Sequence, residues 1–257
     1  MKIGIIGAGK LGMTLAQLLL AAGYEVVISS SGSASKRRLI VETLAPGALS
    51  ASNHEVIAQA EVIILALPLS KFRQFESSDF AGKLVIDAMN CWWEVDGPRE
   101  AILPGEQSSS EAVAQYFHKA RVVKALSHMG YHHLHDEPRP GGASERKAIA
   151  VAGDNQDDVA LASQIIDAIG FDPLPIGKLV NGWRLEPGAP AFGAHLTPNS
   201  CKKLSIAHRK ATSKSALGPS ENSTKVLQYT IRRLARTASI FYERPKEHPQ
   251  YRDYCPR

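Results

Sequence analysis

The sequence predicts an α/β fold: a doubly wound, mostly parallel sheet with a small C-terminal extension. Three observations carry this. Short β-branched apolar runs alternate with stretches of helical period over roughly the first two thirds of the chain. A full glycine triplet, Gly7-Ala8-Gly9-Lys10-Leu11-Gly12, lies between the first apolar run and the first helical stretch. The central run, Glu61-Val62-Ile63-Ile64-Leu65-Ala66-Leu67, is apolar with almost no alternation, as a strand covered on both faces should be.

The elements follow in order. Lys2 to Ile6 is the first strand. Leu11, Leu15, Leu18, Leu19 and Ala22 recur at helical spacing, and Gly23 is a C-cap signal. Glu25 to Ser29 is a β-branched run of strand length, so the opening reads strand–helix–strand, the unit of a parallel sheet. Lys36 to Leu44 reads as a helix stopped by Pro46-Gly47, and Asn53 to Gln59 as another. The run from Glu61 ends at Pro68, and Lys83 to Asp87 is the next strand. Ser110 to His118 is helical with Ser110 as N-cap, and Arg121 to Leu126 is a strand. Residues 127–145 are rich in His, Gly and Pro and read as a functional loop over a cofactor. A last unit pairs a strand from Lys147 to Ala152 with a helix from Asp154 to Ile169, capped by Asp154 and stopped by Gly170. Gly177 to Thr197 reads as loop. The expected sheet has about six to eight strands, the range of doubly wound folds.

Composition excludes several classes. The chain has 257 residues, 44% hydrophobic and 21% charged, as an ordinary globular protein does. Cys91, Cys201 and Cys255 are far apart and odd in number, which argues against a disulfide framework or a CxxC metal site and points to a reducing, cytoplasmic compartment. The start, Met1 to Gly7, is too short an apolar run for a signal peptide, and no stretch nears the roughly 20 apolar residues of a membrane span. The net charge of +5 is misleading as a whole. Residues 1–200 hold 17 Lys/Arg against 21 Asp/Glu, whereas 201–257 hold 13 against 4. No nucleic-acid partner is therefore expected for residues 1–199. The domain plan is a dinucleotide-binding domain at 1–126, a substrate-loop and C-terminal βα portion of the same unit at 127–199, and a basic, partly disordered tail at 200–257.

The glycine loop states what is bound. Gly7 permits the tight turn, Gly9 lets a pyrophosphate approach the backbone, and Gly12 lets helix and strand pack closely. The helix start offers free N–H groups and a positive dipole end to phosphates. This is the Rossmann arrangement, with Ala8, Lys10 and Leu11 completing the loop. An NAD site usually ends its second strand in Asp or Glu, which accepts from the ribose 2′-OH. Here that strand ends Ser29-Ser30-Ser31-Gly32, and Lys36, Arg37 and Arg38 follow. Hydroxyls and cations in place of a carboxylate favour a 2′-phosphate, hence NADP, with Ser30, Ser31, Lys36 and Arg37 as contacts. Ligands of such sheets gather beyond the carboxyl ends of the strands. Leu67, Pro68, Ala88 and Asn90 lie at two of those ends, Asn90 placed to bond the nicotinamide amide or a ribose hydroxyl, and Asp87 to brace the loop.

Chemistry beyond the cofactor is less marked. His128, His132, His133 and His135 cluster with Asp136 and Glu137, but their spacing fits no common metal motif, and no metal is expected. The cluster reads as a pocket-lining loop in which His128, next to the strand, positions a substrate or donates a proton. Exposed loop histidines are the alternative. Trp92 and Trp93 would wall a planar substrate or serve as core or interface residues. Nothing in the sequence activates Cys91.

These motifs also carry a family resemblance. The Gly7–Gly12 loop, Ser-Ser at the second strand end, Ala66-Leu67-Pro68, Asp87-Ala88-Met89-Asn90 and Val122-Val123-Lys124-Ala125-Leu126 occur in the same order as in NADPH-dependent 8-hydroxy-5-deazaflavin coenzyme reductases. The wider group is the predicted dinucleotide-binding oxidoreductases, related to the reductase domains of metal-reducing membrane proteins. The resemblance covers about residues 1–197, including Arg184-Leu185-Glu186. It implies hydride transfer between NADPH and a planar acceptor such as a deazaflavin or flavin coenzyme. Two departures stand out: Ser31 occupies a position where the family has Arg, and Ser127 to His133 replaces a His-Thr-Ile-Pro-like stretch. Reduction of another small substrate (imine, ketone or hydroxy acid) and a non-catalytic NADP-binding sensor remain as alternatives. A homodimer is expected by analogy, since so lightly covered a pocket often borrows its lid from a neighbour.

Overall fold

The computed structural model describes residues 1–201 except 104 and 106, all within one compact unit, Met1–Arg209. The basic tail expected from residue 200 lies, from 202 onward, outside the described residues. The chain opens with β1 (Lys2–Ile6), α1 (Lys10–Ala21), β2 (Glu25–Ser29), α2 (Ala34–Leu44), β3 (Leu49–Ala51), α3 (Asn53–Gln59) and β4 (Val62–Leu65). Two 3-10 segments, Leu69–Gln74 and Ser77–Phe80, lead to β5 (Leu84–Asp87). Two helical turns follow, α4 (Trp93–Asp96) and α5 (Arg99–Ile102), then α6 (Ser109–Tyr116) and β6 (Arg121–Lys124). The described part closes with α7 (Tyr131–Asp136), β7 (Ala148–Gly153), α8 (Gln156–Ala168), β8 (Asp172–Pro175) and a 3-10 segment, Leu179–Leu185.

The expected doubly wound, mostly parallel sheet is present. Its order is β3-β2-β1-β4-β5-β6-β7-β8. Strands β1 to β6 pair in parallel, β7 runs antiparallel to β6, and β8 is parallel to β7. The order reverses between β1 and β4, and that is where an open α/β sheet leaves a crevice beyond its strand ends.

The near-continuous apolar strands have their reason in two cores. On one face Ile3, Ile5, Ile64 and Ile86 pack with Leu15 and Leu19 of α1 and with Ile165 of α8. On the other face Ile6, Ile63, Leu65 and Val85 pack with Val56 of α3, Phe72, Phe80 and Val113 of α6. Alternate strand residues thus feed opposite layers, and neither face is left to water.

Several expectations need correction. Ser108, not Ser110, caps α6: its hydroxyl accepts from the Glu111 N–H, and the Glu111 carboxylate accepts from the Ser108 N–H. Asn155, not Asp154, caps α8 through the N–H groups of Asp157 and Asp158, while Asp154 accepts from Leu179 N–H. The loop expected over 127–145 contains α7. The loop expected over 177–197 contains the 3-10 segment Leu179–Leu185. No helix among the described residues is long and apolar enough to cross a membrane.

Candidate functional site

The glycine loop is shaped by contacts that only glycine permits. Gly7 has φ +115°, and a Cβ there would meet the Ala66 carbonyl oxygen at 2.3 Å. A Cβ on Gly12 would meet the Gly7 carbonyl oxygen at 1.8 Å, so α1 packs against the loop backbone itself. Gly9 differs: a Cβ there would meet nothing within 4 Å among the described residues. It faces open space, which is the requirement for a ligand to approach the chain. Gly9 is also the N-cap of α1, with no side chain closing the helix and no acidic residue in its first turn. The first N–H groups of α1 therefore lack an intrahelical partner and present their dipole end outward.

At the end of β2 the polar atoms are poised rather than satisfied. The hydroxyls of Ser29 and Ser30 and the Nε of Arg37 are buried without a hydrogen-bond partner among the described residues. Arg37 Nη1 donates to the Gly32 carbonyl, which folds its side chain back over the strand end. Ser31 and Lys36 are exposed beside it. Arg38 instead pairs with Glu42 at 2.7 Å, one helical turn on, and points along α2.

A cleft of about 440 Å³ opens beyond the ends of β1, β4 and β5. Of the residues expected in the site, Gly9, Lys10, Leu11, Leu67, Pro68, Ala88, Asn90 and His128 line it. Gly7 and Gly12 shape its rim from behind, and Ser30, Ser31, Lys36 and Arg37 stand apart from it at the β2 end. Asn90 Nδ2 donates to the Ser127 carbonyl at 2.7 Å, while its Oδ1 is buried and partnerless, free to accept from a bound group. Sequence reasoning missed Tyr131 and Phe192 as lining residues; His132, from the histidine cluster read as a pocket-lining loop, lines the cleft as well. Trp92 also lines the cleft, its ring edge-on to Phe192 at 5.5 Å. No pattern in the sequence joins residues 92 and 192; only the return of the chain past β8 does.

Beneath the cleft lies a closed polar network. Asp87, at the end of β5, receives the Met89 N–H on Oδ1 at 2.9 Å and the Ser110 hydroxyl on Oδ2 at 2.6 Å. Lys124 Nζ forms an ion pair with Asp87 Oδ2 at 3.2 Å, and both side chains are fully buried. Nζ donates in addition to the Met89 carbonyl at 2.5 Å. Asp87 is thus the brace expected of it: it fixes the turn that presents Ala88 and Asn90.

His128 is placed differently from a proton donor. It is buried, and its Nε2 accepts from the Ala150 N–H at 3.0 Å. Strand β6 ends at Lys124, so the β7 edge beyond it has lost its neighbour, and the His128 ring and the Leu196 carbonyl (from Ala148 N–H, 2.8 Å) take its place. Burial pushes the His128 pKa down to about 4, against the backbone carbonyls of Ala194 and Ala191, which favour the charged form. The neutral ring keeps its proton on Nδ1. Just upstream, Leu126 is held at φ +62°, an unusual angle for a side chain, and this turns the backbone from β6 into the cleft wall. Burial, followed by Asp96, raises the Cys91 thiol pKa, so Cys91 is not an activated nucleophile.

Residues 2–91 match the family model described as NADP oxidoreductase, coenzyme F420-dependent. The rat (Rattus norvegicus) metalloreductase STEAP3 is 30% identical over 193 residues, 72% of this chain but 36% of its own length. The chain therefore spans about a third of that relative. Among solved structures, the protein SMa0349 of Sinorhizobium meliloti, of unassigned function, aligns at a TM-score of 0.67 with 26% identity, covering 76% of this chain and 95% of that one. A candidate F420-dependent NADP-reductase from Arthrobacter sp. FB24 aligns at 0.60 with 23% identity, covering 71% and 87%. Over residues 2–91 the chain is similar to dinucleotide-binding oxidoreductases, and its fold is of the Rossmann type.

Two outcomes follow from the buried groups. Lys124→Met removes the cation and leaves Asp87 charged in the core, which should cost about 3–5 kcal/mol of stability in urea denaturation. An unchanged midpoint would mean that the pair is not closed to water. For His128 the neutral form is favoured on folding, so its contribution is complete above its ordinary pKa of 6.5 and is lost as pH falls toward about 4. Wild type should lose about 3 kcal/mol more than His128→Gln between pH 7 and pH 4. Identical pH dependence in the two proteins would contradict the assignment.

Proposed function

We propose that the chain binds NADP(H) across the β1–β4 crevice and exchanges a hydride between it and a planar acceptor such as a deazaflavin or flavin coenzyme. The observation that carries this reading is the pairing of an open, uncapped α1 mouth at Gly9 with partnerless buried hydroxyls, not a carboxylate, at the end of β2. The residues fit the cofactor in charge and in shape. The N–H groups of Lys10, Leu11 and Gly12 receive the diphosphate, with Gly7 and Ala8 forming the turn before them. Ser30, Ser31, Lys36 and Arg37 receive the 2′-phosphate, and the partnerless Arg37 Nε supplies a charge-assisted donor.

NADPH itself supplies the hydride, and the protein's part is position and dryness. Leu67, Pro68 and Ala88 form an apolar seat, and Asn90 Oδ1 accepts from the carboxamide or a ribose hydroxyl. The aromatic rings of Trp92, Phe192 and Tyr131, all lining the cleft, suit a flat ring. His128 acts as a positioning residue, holding the cleft floor to β7 through Ala150. The comparisons support this reading through the family description and the metalloreductase relative.

The test is NADPH titration together with NADPH oxidation against deazaflavin, flavin, quinone and imine acceptors. Gly9→Leu should weaken NADPH binding by at least ~100-fold, since its side chain fills the phosphate approach. Ser30→Ala with Arg37→Ala should cost ~10-fold or more in NADPH affinity and leave NADH affinity almost unchanged. Tight NADPH binding with no turnover on any acceptor would favour a sensor. Equal affinity for NADH and NADPH in wild type would remove the cofactor assignment.

A further inference from the structure

One cluster outside the cleft brings together ligands that the sequence separates. His133 lies on α7, and Glu137, four residues on, closes that helix, so the two share a face. His195 arrives from the segment that returns past β8. Its position is fixed from both sides: Gly193 N–H donates to the His128 carbonyl at 2.6 Å, and Ala148 N–H to the Leu196 carbonyl at 2.8 Å. The three side chains converge. Nδ1 of His133 lies 2.8 Å and Nδ1 of His195 2.9 Å from the same oxygen, Glu137 Oε1. The two imidazoles are stacked, centroids 3.8 Å apart and planes within 7°, so both Nδ1 atoms face the carboxylate side by side. Glu137 Oε2 is buried with no hydrogen-bond partner among the described residues.

We propose that His133, Glu137 and His195 form a binding site for one divalent transition-metal ion, zinc by preference. Two imidazoles and a carboxylate are the donor set of a three-ligand site whose fourth position is left to water. Nitrogen donors select zinc and its neighbours over magnesium or calcium, which require oxygen. The potential ligand atoms all lie within 4.8 Å of one another. Zinc at bond lengths of roughly 2.0–2.2 Å holds its ligand atoms about 3.3 Å apart, so both nitrogens must draw back from Glu137 Oε1 by a few tenths of an ångström, and the stacked rings must turn out of parallel for their in-plane lone pairs to meet at one ion. The proton balance is simple. Each ring must offer a nitrogen without a proton, so a proton on Nδ1 moves to Nε2 or is released to water, and the metal takes the place of the His133 contact on Glu137 Oε1.

The location gives the site a consequence. Helix α7 also carries Tyr131 and His132, and the returning segment carries Phe192 and Gly193, all of which line the cleft. A metal bound here ties those two walls together. This inference does not depend on the cofactor reading, because metal binding is measured without any dinucleotide.

The test uses the full, tag-free chain, stripped with a chelator and titrated with zinc and, separately, with cobalt(II), whose visible spectrum reports tetrahedral nitrogen and oxygen donors. One ion should bind per chain and raise the melting temperature. Glu137→Gln and His195→Ala should each weaken binding at least tenfold and erase the tetrahedral cobalt signal, with circular dichroism unchanged. His135→Ala, whose ring pairs with Asp136 at the surface, should leave binding intact. Absence of zinc binding in the wild-type chain overturns the proposal. So does binding that survives in both Glu137→Gln and His195→Ala, which would place the ligands elsewhere, such as at His208 or His248.

Discussion

The whole site rests on one close approach of backbone to backbone. Where β1 ends, Gly7 passes against the Ala66 carbonyl of β4's exit, and Gly12 passes against Gly7. These contacts bring the start of α1 directly over the point where the strand order reverses. A side chain at either position would lift the helix, and its free N–H groups would no longer overlook the crevice. Gly9, with nothing near it, is the remaining element: the aperture is open because the two flanking glycines close everything around it. Fold and site are therefore consequences of the same six residues.

The rest of the architecture holds that aperture's floor still. The buried Lys124–Asp87 pair joins β6 to β5, and through the Met89 backbone it fixes the turn that displays Asn90. Asn90 in turn grips the Ser127 carbonyl just after the strained Leu126. His128 continues the chain of contacts to β7. A polar route thus runs under the cleft from β5 to β7. Asp87 and Lys124 are neutralised and bonded within the protein, whereas Asn90 Oδ1, Ser127 Oγ, His128 Nδ1 and the β2-end hydroxyls are buried without a hydrogen-bond partner among the described residues. The Asp87–Lys124 pair carries structure here, while Asn90 Oδ1 and the β2-end hydroxyls are the unsatisfied atoms that the proposed dinucleotide would meet.

Much of this was legible in the sequence because period and glycine chemistry are local signals. Strands β1, β2, β4 and β5 declare themselves by β-branched runs, and the triplet declares the first turn. What escaped was set by tertiary contact. Strand β3 has only three residues, too few for any period. Strand β8 contains Pro173 and Pro175, residues that speak against a strand. It tolerates them because, among the described residues, it pairs only with β7: the N–H groups of Asp172 and Ile176 face that partner, and the prolines fall at the alternate positions. Helix α7 was hidden by the glycines and prolines around it. Ser108 and Asn155 cap helices in place of neighbours of equal propensity, a choice that packing makes and composition does not. The convergence of His133, Glu137 and His195 crosses the β7–α8–β8 unit and leaves no trace in local spacing.

The account's central claim is spatial: the α1 mouth holds a diphosphate and the β2 end holds a ribose phosphate. A crystal structure of the full chain grown with NADPH tests it directly. Diphosphate oxygens should lie within hydrogen-bond distance of the Leu11 and Gly12 N–H groups, and the 2′-phosphate should contact Ser30 and Arg37. A dinucleotide bound away from Gly9, or an adenosine ribose turned away from the β2 end, would contradict the account.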